Sequence, residues 1–337
     1  METDVLGSPF QARRIDLPPD EEGDVVATLV TARAATPTGR AVLYLHGFVD
    51  YFFQVHLAEF FTGRGYDFYA LDLRKYGRSL LTHQTPNYIG DVSDYYPEID
   101  EAIRIIREED GHDTVLVNGH STGALIGALW ADRVRGRGLV QGLFLNSPFF
   151  EFNEPWVVRT FLTPIITQLG ARTPKRKLPQ ELGTTYGKSI HLSEHGEWEY
   201  DLAWKPLNGY PIYAGWVRAI HLAHRKAQRG LSIDVPILVG VSGRSYRGKF
   251  AEAAHHADSV LNVAHMIRYA SGLGRDVTVV RIEGGKHDLA LSAPPVRAKL
   301  FGVVDRWLSA TLGVDTSAAR SAEAASPTEA AASPTEA

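Results

Sequence analysis

A chain of 337 residues can bury a sizeable core, either as one large α/β domain with an insertion or as two small domains. Its 35 basic and 39 acidic side chains leave a formal net charge of −4 with both signs mixed along the chain, so charge favours neither nucleic acid nor an anionic membrane as the main partner. With no cysteine, a disulfide framework, a thiolate metal site and a cysteine nucleophile are all excluded.

The opening METDVLGSPFQARRIDLPPDEEGD carries no apolar core behind a basic end, and no stretch approaches the roughly 18 apolar residues of a membrane span. A cytoplasmic protein without stable membrane insertion is expected. Residues 10–33 alternate loosely around the acidic turn PPDEEGD, which predicts an antiparallel strand pair.

Short apolar runs then follow as AVLYL (41–45), YDFYAL (66–71), TVLV (114–117), LVQGLFL (139–145), PILVGV (236–241) and VTVVRI (277–282). Helical periods fall at 54–63, 94–109, 122–134, 251–271 and 294–312. Strands alternating with helices predict a mostly parallel central sheet covered on both faces.

About 80 residues, from 149 to 232, break this rhythm, whereas a crossover needs only about a dozen. An inserted helical cap is expected there, dividing the core into 1–148 and 233–313. From 314 to 337 the chain is rich in Ala, Ser, Pro, Thr and Glu and repeats ASPTEA, the composition of a disordered tail.

Within this frame, GHSTG (119–123) sits between a strand and the helix that begins ALIGALW. A serine hydroxyl is a poor nucleophile until a base takes its proton and its oxygen is lifted clear of neighbours. A tight strand-to-helix turn does the lifting, and it leaves no room for a Cβ at Gly119 or Gly123. Ser121, with His120 beside it, is therefore the candidate nucleophile; a plain serine N-cap is the bland alternative.

An oxyanion hole needs two backbone N–H groups, one following the nucleophile and one from an earlier strand end. Thr122 supplies the first. The strand end LYLHGF places His46 and Gly47 ahead of Phe48, the candidate second donor, although a plain turn with a hydrogen-bonded histidine reads the same. His287, in IEGGKHDL beyond the last core strand, stands where a base must stand. The acid is open among Asp258, Glu252, Glu283 and Asp288; Asp258 is favoured, since Val260 and Leu261 could anchor it, and a helix N-cap role near Ser259 is compatible with that.

These residues resemble an α/β-hydrolase of the monoacylglycerol lipase, lysophospholipase and serine aminopeptidase-like group. The resemblance is carried by HGF (46–48), LDLRKYGRS (71–79), GHSTG (119–123), DSVL (258–261) and GKHD (285–288), and spans roughly 25–313. It implies Ser121 as nucleophile, His287 as base, Asp258 as acid, and Phe48 and Thr122 as oxyanion donors. Asp72, Arg74, Gly77 and Ser79 match the family's Asp-x-Arg-Gly-x-Gly-x-Ser loop, with Lys75 in place of its first glycine. The segment that begins SGRSYRGKF (242–250) is longer than the family's usual turn before the acid.

Trp156, Trp198, Trp204 and Trp216 fall in the insertion, so an apolar pocket shielding an acyl intermediate is expected, though rings that merely attach the cap would look alike. RTPKRK (172–177) reads as a solvated loop before it reads as a lipid contact. His221 with His224, and His255 with His256, lack a third ligand motif, and no phosphate loop is present; neither metal nor cofactor is expected. The expected activity is a serine hydrolase cleaving a small-molecule carboxylic ester of acyl-lipid type. Amide, lactone or carbon–carbon bond hydrolysis, or noncatalytic ligand binding, is the alternative.

Overall fold

The computed structural model describes residues 1–179 and 183–313, so the tail expected to be disordered, 314–337, lies outside the described residues. After a short β1 (Glu2–Thr3), β2 (Gln11–Asp20) and β3 (Gly23–Ala32) form the antiparallel pair around the acidic turn. Asp20 closes that turn by accepting from the Glu22 N–H at 2.8 Å.

The remaining strands are β4 (Arg40–Leu45), β5 (Tyr66–Asp72), β6 (Thr114–His120), β7 (Gly142–Asn146), β8 (Ile237–Ser242) and β9 (Val277–Ile282). They lie in the order β1-β2-β3-β5-β4-β6-β7-β8-β9, and every pair from β5 to β9 is parallel. This is the α/β-hydrolase fold. The central strands are apolar on both faces: Ala41, Leu43 and Leu45 of β4 face one core, Val42 and Tyr44 the other.

The first core takes α2 (Tyr96–Arg104), α3 (Thr122–Val134) and α7 (Val263–Ala270); the second takes α1 (Val55–Thr62) and α8 (Pro294–Leu312). Residues 147–236 leave the sheet between β7 and β8 and carry α4 (Thr163–Arg172), α5 (Thr185–Ile190) and α6 (Ala214–Gln228). Helix α4 crosses α6 at Gly170, where a Cβ would strike the Ala214 carbonyl. Ile220 and Trp216 of α6 join the first core, so this excursion packs directly on the layer that holds α3.

Two expected elements differ. The helix read over 251–271 is broken into a short 3₁₀ turn, Glu252–His256, and α7, with extended backbone between them. Tertiary hydrogen bonds to 244–246, described below, override the helical period. The strand read from Leu139 begins at Gly142, because Gln141 turns its side chain back to accept from the Val115 N–H at 2.8 Å.

The 71–79 loop keeps its tight path despite Lys75. That residue adopts φ +64°, where glycine is ordinarily favoured, and its ammonium is held by Asp20 and Glu22 at 2.6 Å each. Gly77 is needed for close approach: a Cβ there would lie 2.5 Å from the Tyr51 Cβ and 2.6 Å from the Asp72 carboxylate. Asp72 in turn accepts from the Phe52 and Arg78 amides, tying this loop to the chain after β4.

Candidate active site

The strand order brings the loops after β4, β6, β8 and β9 to one carboxyl edge. Ser121 stands between β6 and α3 at φ +52°, ψ −114°, a strained conformation for any residue with a Cβ. A Cβ at Gly119 would lie 2.6 Å from the Ala124 Cα, and one at Gly123 would overlap the Leu45 and His46 carbonyl oxygens. Both glycines are thus where backbones cross. Gly123→Ala is expected to cost about 3 kcal/mol, since backbone rather than a mobile side chain must yield. An unchanged urea midpoint for that variant would contradict the crossing.

Ser121, His287 and Asp258 come together from three segments. The Ser121 hydroxyl donates to His287 Nε2 at 3.0 Å, and His287 Nδ1–H donates to the Asp258 Oδ2 at 2.9 Å. All three side chains are buried. Asp258 Oδ1 accepts from the Val260 and Leu261 amides at 2.9 and 2.7 Å, so the carboxylate is oriented by its own turn.

The long segment after β8 folds back on itself to make this possible. Asp258 N–H donates to the Arg244 carbonyl at 2.9 Å, and Tyr246 N–H donates to the Asp258 carbonyl at 2.7 Å. The other three carboxylates are placed elsewhere. Glu252 is exposed, and Glu283 lies against Gly243. Asp288 accepts from Asn146 Nδ2 at 2.7 Å and from the Ala290 N–H at 2.9 Å, anchoring the loop beside His287. The N-cap reading of Asp258 is replaced: the next helix is α7, capped by Asn262, whose side chain accepts from the Ala264 N–H.

His46 fixes a peptide plane. Its Nε2 accepts from the Leu73 N–H at 3.0 Å, and its Nδ1–H donates to the Gly47 carbonyl at 2.8 Å. Burial holds this imidazole below its ordinary pKa, which suits a neutral ring with one donor and one acceptor. Because a trans peptide points its C=O and N–H in opposite directions, gripping the Gly47 carbonyl aims the Phe48 N–H the other way. Neither the Phe48 nor the Thr122 N–H finds an acceptor among the described residues, and both residues border the same cavity as Ser121 and His287. Thr122 opens α3, so the positive end of the helix also faces the site.

That cavity measures about 400 Å³, the size of a small-molecule site. Phe149, Phe152, Ile166, Leu178, Trp216 and Val217 give it apolar walls, all contributed from the 147–236 excursion. Trp216 stacks on Phe48 at 4.0 Å, and Trp204 and Trp198 pack against Tyr51 and His56. Trp156 is exposed, outside this packing. In the basic run, Lys175 is paired with Glu22 rather than open to solvent alone.

His224 is enclosed by Phe149 and Phe152, where burial lowers its pKa to about 3. No group of three metal-ligating side chains occurs among the described residues. No described helix is long and apolar enough to cross a membrane. Three site residues carried no sequence signal: Asp50, Lys205 and Tyr186 border the cavity without belonging to any motif. Asp50 is bonded to His120 of the elbow, and Tyr186 meets His287 edge-on at 5.4 Å.

Several solved structures share this fold. A soluble variant of monoglyceride lipase from Saccharomyces cerevisiae, in complex with a substrate analog, superposes with a TM-score of 0.67 at 14% identity, covering 88% of this chain and 94% of that one. A monoacylglycerol lipase from Paleococcus ferrophilus gives 0.61 at 19% identity, covering 84% and 99%. A carboxyl esterase from Bacillus coagulans, in complex with glycerol, gives 0.64 at 14% identity, covering 89% and 99%. No curated protein sequence matches the chain. Residues 36–293 match the family described as serine aminopeptidase, S33, and the chain belongs to that family of α/β-hydrolases.

Proposed function

We propose that the protein is a serine hydrolase that cleaves a carboxylic ester of acyl-lipid type through an acyl-enzyme. The observation that carries this reading is the continuous relay from the Ser121 hydroxyl through His287 to Asp258, at 3.0 and 2.9 Å, opening on an apolar cavity.

In this reading His287 Nε2 takes the Ser121 proton as Oγ attacks the ester carbonyl. The Phe48 and Thr122 N–H groups receive the oxyanion, and Asp258 holds the ring's tautomer and stabilises the imidazolium. His287 then gives the proton to the leaving alkoxide, which departs as the alcohol. Water, deprotonated by the same nitrogen, attacks the acyl-enzyme; its collapse frees the carboxylic acid and restores the serine. The excursion covering the site keeps bulk water from the intermediate.

The apolar walls of the cavity suit the acyl chain of an ester. Asp50 and Glu154 are the carboxylates that border the cavity, and Asp50 is already engaged by Lys205 and His120.

The test is a substrate panel: p-nitrophenyl esters of rising chain length, monoacylglycerols, lysophospholipids and aminoacyl anilides. Activity on esters is expected to exceed that on anilides. Each added methylene should raise kcat/KM by up to about fourfold until the cavity is filled. Preferential cleavage of the anilides would replace the ester reading with an amide one.

A further inference from the structure

The mechanism leaves one buried charged pair beside the nucleophile unused. The Lys205 ammonium lies 2.6 Å from the Asp50 Oδ1, and the two side chains are 7% and 1% exposed. The other Asp50 oxygen accepts from His120 Nδ1–H at 3.3 Å. Around the ammonium stand the rings of Phe53, Tyr186 and Tyr200, at 5.6 to 5.8 Å. Two desolvated charges contribute little net stability compared with a well-packed apolar pair. Their place in the fold is therefore more informative than their energy.

Asp50 ends the turn that carries Phe48. Between them Val49 adopts φ +50°, a conformation disfavoured for a β-branched residue, so the turn needs outside support to persist. That support comes from the excursion. Trp216 stacks on Phe48, the Asp201 N–H donates to the Tyr51 hydroxyl at 2.7 Å, and Tyr200 packs on Phe53 at 4.9 Å. The Lys205 contact differs from these in being charged, and it falls on the residue next to the strained valine.

We propose that Lys205 is a positioning residue: through Asp50 it holds the Phe48–Val49–Asp50 turn, and with it the Phe48 N–H, in the geometry that receives the oxyanion. The inference rests on the ester-hydrolase reading above. It makes the oxyanion hole a joint product of the sheet edge and the excursion, complete only when the two are docked.

The charges around Asp50 supply a distinguishing readout. Lys205, His120 and His46 face it, as do the hydroxyls of Tyr44, Tyr76, Tyr186 and Tyr200. Burial by itself pushes this carboxyl up, but the ammonium and the His120 N–H hold it well below the usual carboxylate range. Without Lys205 the balance reverses and the carboxyl pKa rises. As pH increases, Asp50 then becomes an uncompensated anion beside the developing oxyanion and opposes it.

The experiment compares wild type, Lys205→Met, Lys205→Arg and the double variant Asp50→Asn/Lys205→Met in turnover of p-nitrophenyl butyrate from mildly acidic to mildly alkaline pH. Folding is monitored by circular dichroism. Lys205→Met is expected to lower kcat by about 30-fold with KM changed by less than about twofold, the split expected when transition-state contacts alone are lost. Its rate relative to wild type should fall further as pH rises, Lys205→Arg should recover most of the loss, and the double variant should lose the pH trend. A folded Lys205→Met with wild-type kcat overturns the inference. If Lys205→Met does not fold, wild-type kcat in the double variant overturns it and a lowered kcat supports it. Fluorophosphonate labelling of wild-type Ser121 separates the two levels: its absence defeats the hydrolase reading, whereas its presence with an unimpaired Lys205→Met defeats only the role of Lys205.

Discussion

Ser121→Ala is expected to lower kcat for ester hydrolysis by about 10⁵- to 10⁶-fold and to abolish fluorophosphonate labelling, because the nucleophile, base and acid act as a unit. The remaining rate comes from the oxyanion donors and binding, which the substitution leaves in place. The fold should tolerate the change. The Ser121 hydroxyl makes one hydrogen bond, to His287, whereas the elbow is held by backbone contacts: Ser121 N–H donates to the Asn146 carbonyl at 2.9 Å, and Phe149 N–H donates to the Ser121 carbonyl at 3.1 Å. Thermal melts of both proteins check the fold, and a p-nitrophenyl ester assay checks the rate. Labelling that persists at another serine would remove Ser121 from the proposed mechanism.

The second large effect is expected at Asp258. The Val260 and Leu261 N–H groups both point at Oδ1. An asparagine must therefore turn its carbonyl oxygen to them and its amide nitrogen to His287. Facing a donor, His287 Nδ1 becomes an acceptor, the ring proton moves to Nε2, and the base can no longer take the Ser121 proton. Asp258→Asn is expected to reduce kcat by about 10⁴-fold with the fold retained. Asp288→Asn provides the contrast. Asp288 binds Asn146, Gln54 and the Ala290 N–H, so its replacement should lower the unfolding midpoint and change kcat by less than about tenfold. The reverse pattern would make Asp288 the acid.

Gly119, Ser121 and Gly123 could be read from the chain because their spacing lies between a strand-forming and a helix-forming run. A local turn is encoded locally, and a Cβ at either glycine would meet the backbone that crosses there. The position of His287 followed from order along the chain, since a residue just beyond the last parallel strand must stand at the carboxyl edge. The acid was favoured as Asp258 but could not be fixed in the same way. Four carboxylates lay within reach in sequence, and the choice depends on how residues 243–262 double back, with Ser245 pairing alongside Asp258. The helical period of 251–271 misled for the same reason: backbone bonds to residues 244–246 hold Asp258 in extended chain.

The sequence by itself determined an alternating α/β sheet, the sharp turn around Ser121 and the edge to which His46–Phe48 and His287 belong, because strand, turn and helix propensities act over a few neighbouring residues. Only the tertiary structure decided that Asp258 rather than Asp288 meets the imidazole, and that Lys205, 155 residues from Asp50 along the chain, meets its carboxylate beside the Phe48 turn. Such contacts join residues with no local relation in sequence. They form because a buried charge left unpaired is costly, and which partners reach it is set by how distant segments pack against one another.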